Sequence, residues 1–314
     1  MMGSVFDTMY TSSMDEDELD TFHIMLEKSQ KGVDTFRIPR VDPLSVSKVM
    51  IAVTMTDPEY RCQYSGAYGV RDYGNSFEIT LKRHLAPMEE MHYRKRMQDR
   101  IKEISKRVLH TCSNDYEKVV AIHDEILDGL TYTKDLAHHR NIYNPFGTLV
   151  DKFSVCQGIA LAFSMVAKEV GVDSANLGNE GMLHCWNMVR IGSRYCNVDA
   201  TWDLSEGGIT HDYLNVSDRR FMVDHLCKLG PICDTDEFDW YRMNGLYFPG
   251  LIDIHEHLRE GVRCGKRKFD FEYGRQSMSD VAMIIGDVLN GPNDVTGVGY
   301  SFNKNLHTAH VVFK

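Results

Sequence analysis

The chain has 314 residues, 43% of them hydrophobic and 25% charged. That is an ordinary globular composition, which excludes disorder and collagen-like repeats. Acids outnumber bases 45 to 35, for a net charge of −10. Such a balance argues against nucleic acid or an anionic membrane as the main partner, since both need clustered basic residues. The longest apolar runs, Val49–Met55 and Ile159–Ala167, fall short of the ~18 residues of a membrane span. Residues 1–20 lack the basic start and apolar stretch of a signal peptide, which leaves cytoplasm, or export with a leader already removed, as the two compartments. Eight cysteines, none in a C-x-x-C pattern, are too few for a disulfide scaffold.

In chain order, residues 1–14 read as a loose tail, followed by a helix over Asp15–Lys31 with an acidic first turn. Val49–Met55 reads as a buried strand, with two further strands over Glu59–Ser65 and Asn75–Lys82. Glu89–His110 is a long charged helix, and Asn114 with Glu117 forms a capping box for a helix that ends near Gly129. Residues 130–147 are polar loop. A second box at Ser154 and Gln157 opens a helix that Gly171 ends, and a hairpin follows, Leu183–Ile191 and Arg194–Trp202, turning at Gly192-Ser193. Beyond His211, helices are expected over Ile252–Glu260 and Ser279–Leu289. Strands are expected over Lys268–Tyr273 and Gly297–Phe313. Helices and strands segregate along the chain, an α+β pattern.

Among the cysteines, Cys156 has the most reactive setting, two residues after the Ser154 cap. Unpaired amides and the dipole at a helix start can pull a thiol well below its free pKa of ~8.5. The plainer reading is a buried cysteine packed as a small hydrophobe. The hairpin shifts the balance. A two-residue turn sets Ile191 opposite Arg194, so His184, Trp186, Asn197, Asp199 and Thr201 share one face. His184 and Asp199 are then diagonal neighbours on a polar face. Cys185, Val189, Ile191, Cys196, Val198 and Ala200 share the apolar face, which sends Cys185 and Cys196 to the core. A thiol at a helix start with a facing histidine and aspartate is the arrangement of an activated nucleophile.

Three motifs, Phe153-Ser154-Val155-Cys156-Gln157-Gly158-Ile159-Ala160, His184-Cys185-Trp186-Asn187-Met188-Val189 and Asn197-Val198-Asp199-Ala200-Thr201-Trp202-Asp203, make this stretch resemble the transglutaminase-like superfamily of papain-related cysteine enzymes. Its bacterial, peptidase-like members are the most similar. The likeness extends more weakly through Asp115–Tyr132 and Tyr213–Asp218. It implies a helix carrying the nucleophile packed on an antiparallel sheet, with Cys156 as nucleophile, His184 as base and acid, and Asp199 as the orienting carboxylate. Where the family usually has a small residue after the histidine, this chain has Cys185, read as a packing substitution. The Cys156 N–H is the first candidate oxyanion donor, and Tyr132, Tyr143 and Gln157 are candidates for the second.

The expected organisation is an N-terminal α+β region (1–85), a transglutaminase-like core (86–225) and a C-terminal α+β region (226–314) that packs on the core. The expected activity is amide-bond hydrolysis of a peptide or polypeptide through a thioester, with no cofactor and no metal. Crosslinking or deamidation, and a non-catalytic module keeping the fold, are the alternatives. His255-Glu256-His257 and His138-His139 lack the spacing that puts two histidines on one helix face. Cys227 and Cys233 have no partners at zinc-site spacing. Gly297-Val298-Gly299 is not a dinucleotide loop, and the sequon at Asn215 reads as chance. Glu89–Arg107 reads as a solvated helix face.

Overall fold

A computed structural model describes residues 6, 9–179, 182–205, 207–226, 229–291 and 294–314. Near the N-terminus, α1 (Glu16–Gln30) starts at Asp15, whose carboxylate accepts from the Glu18 N–H while Glu18 reaches back. β1 (Thr35–Pro39) leads into α2 (Pro43–Thr56), a short turn α3 (Tyr60–Gln63), and the strands β2 (Tyr64–Asp72) and β3 (Ser76–Arg83). These strands form an antiparallel sheet in the order β1-β3-β2, on which α1 and α2 bury Phe22, Met25, Val49 and Val53.

Two expectations fail here. Val49–Met55 is helix, because Asp42 caps the Leu44 N–H, Pro43 fills the first turn, and Val46, Val49, Met50 and Val53 form one buried stripe. Most of Glu59–Ser65 is the α3 turn, with β2 beginning only at Tyr64. The N-terminal tail is also not loose where it is described. Phe6 and Met9 are buried, and Tyr10 donates to the Asn176 carbonyl at 3.0 Å.

α4 (Pro87–Thr111) and α5 (Asp115–Leu127) pack with α6 (Cys156–Glu169) around Ile104, Ile122, Phe163 and Val166. Arg107 bonds Glu125 across α4 and α5, so one part of the charged α4 face is an interhelix tie. β4 (Thr131–Tyr132) pairs in parallel with β5 (Phe153–Ser154), just ahead of α6. The main sheet is antiparallel in the order β11-β8-β7-β6, from β6 (Ser174–Asn179), β7 (His184–Ile191), β8 (Arg194–Val198) and β11 (Leu214–Val216). Its hairpin register is the expected one, with Ile191 opposite Arg194 and Asn187 opposite Val198. Gly192 takes the positive φ that the two-residue turn needs.

Both faces of this sheet are buried, which corrects the expectation of one polar face. Val189, Ile191, Cys196 and Val198 face α6. Trp186 and Met188 face a second core with Leu177, Tyr213, Phe221 and Cys233. Polar side chains there are satisfied locally, as where Asn197 donates to Val216 O and Asp218. A small pair, β9 (Leu204–Ser205) and β10 (Gly208–Ile209), precedes β11, and the turns α7 (Asp218–Phe221) and α8 (Trp240–Met243) follow it. Asn215 of the sequon is fully buried in β11.

The C-terminal region is a sheet in the order β12-β14-β13, from β12 (Lys268–Glu272), β13 (Val298–Asn303) and β14 (Thr308–Phe313). α9 (Leu251–Arg263) and α10 (Met278–Asn290) cover one face with Ile254, Leu258, Val281 and Ile285. The whole is the α+β class expected. Among the described residues no helix is long and apolar enough to cross a membrane.

Gly158 sits one turn into α6, where an added Cβ would meet Ser154 Oγ, the Ile142 carbonyl and the Asn144 carbonyl within about 3 Å. Its smallness serves the packing of the 141–146 loop. Gly158→Ala is therefore expected to cost about 1–3 kcal/mol through overpacking, read as a lower midpoint of thermal unfolding. An unchanged midpoint would contradict this.

Candidate active site

Cys156 is the first residue of α6, and the cap position is Val155, with no side-chain cap on the helix. The sequence pointed to Ser154 as the cap. Its hydroxyl instead donates to Ile142 O at 3.0 Å and anchors the preceding loop. With no cap and no acidic residue in the first turn, the free amides and the positive end of the dipole face the Cys156 neighbourhood.

His184 opens β7, and its Nε2 donates to Asp199 Oδ2 at 2.6 Å. Asp199 follows β8 and is fully buried. Its other oxygen accepts from the N–H groups of Thr201 and Trp202 at 2.9 and 3.2 Å, which fixes the carboxylate by an Asx-type turn. With Nε2 committed to Asp199, Nδ1 is the nitrogen left to face the Cys156 sulfur, whose negative charge favours the imidazolium. Trp186 and Trp202 stack on the ring with centroids at 5.9 and 5.5 Å.

The electrostatics follow from these contacts. A hydrogen bond from Cys185 and the pairing with His184 outweigh burial and bring the Cys156 thiol down to about 5. Burial alone would depress His184, but Asp199 and Cys156 reverse this and raise the imidazole to about 10. Between those two values the favoured state is thiolate and imidazolium.

Cys185 is the clearest departure from the sequence reading. It is only partly buried and close enough to Cys156 to be the first cause of that thiol's lowered pKa. The alternation rule correctly put it on the α6 side of β7. At that end of the strand, however, the neighbour is the start of α6, not the apolar core. The Cys185 thiol is pushed well up, first by donating to Cys156 and then by burial. Cys196, in the third pair from the turn and on the same face, does lie in the core.

His225 is the residue that sequence reasoning missed. Its Nε2 donates to the same Asp199 oxygen at 2.9 Å and its Nδ1 to Asp224 at 2.8 Å. The ring is buried between Phe221 and Trp202, with centroids at 3.7 and 4.2 Å. Asp224 also accepts from Tyr213 and from Asn305 of the C-terminal region, at 2.7 and 2.9 Å. No motif marks His225, and only its aromatic neighbours hinted at a buried position.

Tyr132 pairs with Ser154 in the β4–β5 ladder, which brings it within charge reach of Cys156 and Tyr143. Beyond Trp202 lies a cavity of about 820 Å³ lined by Tyr213, Lys268, Asp270, Ser301 and His310. The other histidines and cysteines weighed in the sequence are placed elsewhere. His255 pairs with Asp287, His138 with Asp135, and His257 packs among Phe248 and Phe269. Cys233 is in the second core, and Cys227 lies outside the described residues. A second cluster, His123, Asp124 and His211, is linked to Asp203 and stacked on Trp240.

The start of α6, which bears Cys156, is thus set beside the end of β7 that bears His184, with Asp199 on the far side of the ring. Residues 102–200 match the model of the Transglutaminase-like superfamily, and the chain carries a domain of that superfamily. Among solved structures it is similar to a transglutaminase at 10% identity and TM-score 0.32, over 55% of this chain and 52% of that one. It is also similar to a candidate cysteine protease from Cytophaga hutchinsonii, at 14% identity and TM-score 0.28 over 46% and 64%. A candidate protease from Parabacteroides distasonis matches at 13% identity and TM-score 0.26 over 41% and 35%. The chain therefore spans between about a third and under two thirds of the length of these structures. No curated protein matches it.

His225→Phe strips an imidazole from the buried Asp199 and the partly buried Asp224, and breaking a buried pair costs about 3–5 kcal/mol. Chemical denaturation should show that loss. A variant as stable as the wild type would mean that His225 carries no charge in the folded protein.

Proposed function

We propose that the chain is a cysteine-dependent amide-bond hydrolase acting on peptides or polypeptides, with Cys156 as nucleophile, His184 as acid and base, and Asp199 as the orienting carboxylate. The observation that carries the reading is the His184–Asp199 pair at 2.6 Å, beside a Cys156 thiol that Cys185 and the imidazole hold down to about 5. A non-catalytic module keeping the fold would leave the sulfur without its imidazole partner.

In the first half-reaction the Cys156 sulfur attacks the substrate carbonyl carbon, and the carbonyl oxygen gains the negative charge. The Cys156 N–H at the start of α6 is placed to stabilise that oxygen, with the Tyr132 hydroxyl as the second donor. One such donor contributes ~3 kcal/mol. Collapse of the adduct breaks the C–N bond, and the imidazolium of His184 gives its proton to the departing amine. The products of this half are a Cys156 thioester and neutral His184. A water then loses its proton to His184 as it attacks the thioester, releasing the acid and restoring the ion pair. The amine leaves on the side of His184, from which it takes its proton.

Asp199→Asn removes the charge that holds His184 as imidazolium. Alkylation of Cys156 by iodoacetamide at pH 6 is expected to slow by at least about tenfold, the loss of thiolate that a rise of about two pKa units from about 5 produces. A rate equal to that of the wild type would remove Asp199 from the mechanism. For the activity itself, peptide-library hydrolysis should be abolished by Cys156→Ala, and rapid acid quench of the wild type should trap an acyl adduct on Cys156. Cleavage that survives Cys156→Ala would refute the reading.

A further inference from the structure

Apart from the candidate active site, a second set of side chains converges on one point. Asp124 Oδ1 accepts from His123 Nδ1 and from His211 Nε2, each at 2.9 Å. The three residues offer ligand atoms that all lie within 4.8 Å of one another. Consecutive residues of a helix point about 100° apart, so His123 and Asp124 of α5 have no built-in reason to meet. Here their side chains do meet, and His211 comes to the same oxygen from the 199–213 loop.

Both imidazoles are held from behind. His123 is fully buried, and its far nitrogen, Nε2, donates to the buried Asp203 carboxylate at 3.2 Å. Asp203 is itself fixed by the Tyr213 N–H and the Thr210 hydroxyl. A carboxylate in that position orients a ligating imidazole and fixes its tautomer, which leaves Nδ1 for an ion. His211 lies flat on Trp240, with ring planes 7° apart and centroids at 4.1 Å. The Asp124 side chain is 45% exposed and that of His211 17%. The cluster therefore has an entry path and room for water at a fourth position.

We propose that His123 Nδ1, Asp124 Oδ1 and His211 Nε2 bind one divalent transition-metal ion, with zinc as the occupant that two imidazoles and a carboxylate suit. Bonds of about 2.0–2.1 Å set tetrahedral ligands about 3.3 Å apart, so the 2.9 Å contacts need to open by only a few tenths of an ångström. The ion takes the place of the protons that the two nitrogens direct at Asp124, and these leave to solvent. The sequence pointed to no metal on the spacing of His255-Glu256-His257 and His138-His139, none of which belongs to this cluster. The bound ion joins α5 to the loop that carries Asp199. His184, Asp199 and His225 are as close together but buried throughout, which leaves no opening for a fourth ligand. Binding of the ion does not depend on the hydrolase reading.

The test uses the full-length Cys156→Ala protein, stripped with EDTA and titrated with Co²⁺ as a visible stand-in for Zn²⁺. One equivalent per chain is expected, with the d–d bands of four-coordinate cobalt, no thiolate-to-cobalt charge transfer, and displacement by Zn²⁺. Loss of a partner behind a ligand already costs about 10–100-fold in metal affinity. Adding His211→Ala, which removes a ligand itself, should therefore weaken binding by at least about a hundredfold. Adding His184→Ala should leave the affinity unchanged. His211→Cys, which keeps a ligand, should add a thiolate-to-cobalt band in the near ultraviolet. No binding, binding that survives His211→Ala, or binding lost from a folded His184→Ala protein would overturn the proposal. If His211→Ala fails to fold, His211→Cys decides, and absence of its charge-transfer band overturns the site.

Discussion

The site depends on one buried carboxylate. Asp199 is removed from solvent and takes hydrogen bonds from two imidazoles and two backbone N–H groups. Burial would raise such a group, and the bonds from His184 and His225 hold it down instead. The result is a line of alternating partners, Asp224, His225, Asp199, His184 and Cys156, in which each member favours the charged form of the next. Take the carboxylate away and both imidazoles lose their anchor, and with His184 goes the partner of the sulfur.

The surrounding structure holds this carboxylate in place from several directions. The loop that bears it, 199–213, is closed at its far end by Asp203, which accepts from the Tyr213 N–H and from buried His123. His211, on the same loop, bonds Asp124 of α5 and stacks on Trp240 at 4.1 Å. The C-terminal region reaches in through Asn305 to Asp224 and through the Leu306 carbonyl to Arg220. Regions that carry no recognisable motif are therefore tied to the site by polar contacts at its edge.

How much of this was legible in the sequence depends on how local the cause is. The hairpin was readable because side chains alternate with period 2 and a Gly192-Ser193 turn fixes the register. That placed His184 and Asp199 together before any coordinates. α5 was readable from Asn114, whose side chain caps the Glu117 N–H. α10, expected over Ser279–Leu289, starts one residue earlier at Met278, where Ser277 caps the Asp280 N–H. α2 was misread because Val49–Met55 is apolar but for Thr54, and a short run of that kind does not distinguish strand from buried helix. The Asp42-Pro43 start signal, six residues upstream, was the better guide.

What stayed hidden is what tertiary packing decides. Alternation says which face Cys185 occupies but not which part of α6 lies over that end of the strand. His225 meets Asp199 only because α7 folds back over the sheet, and no local pattern records that. The central claim is that Cys156 is a thiolate paired with the His184 imidazolium. The most direct test is a pH titration of thiolate absorbance in the ultraviolet, wild type minus Cys156→Ala. The account predicts a transition near pH 5. A single transition at the ~8.5 of an ordinary thiol would contradict it.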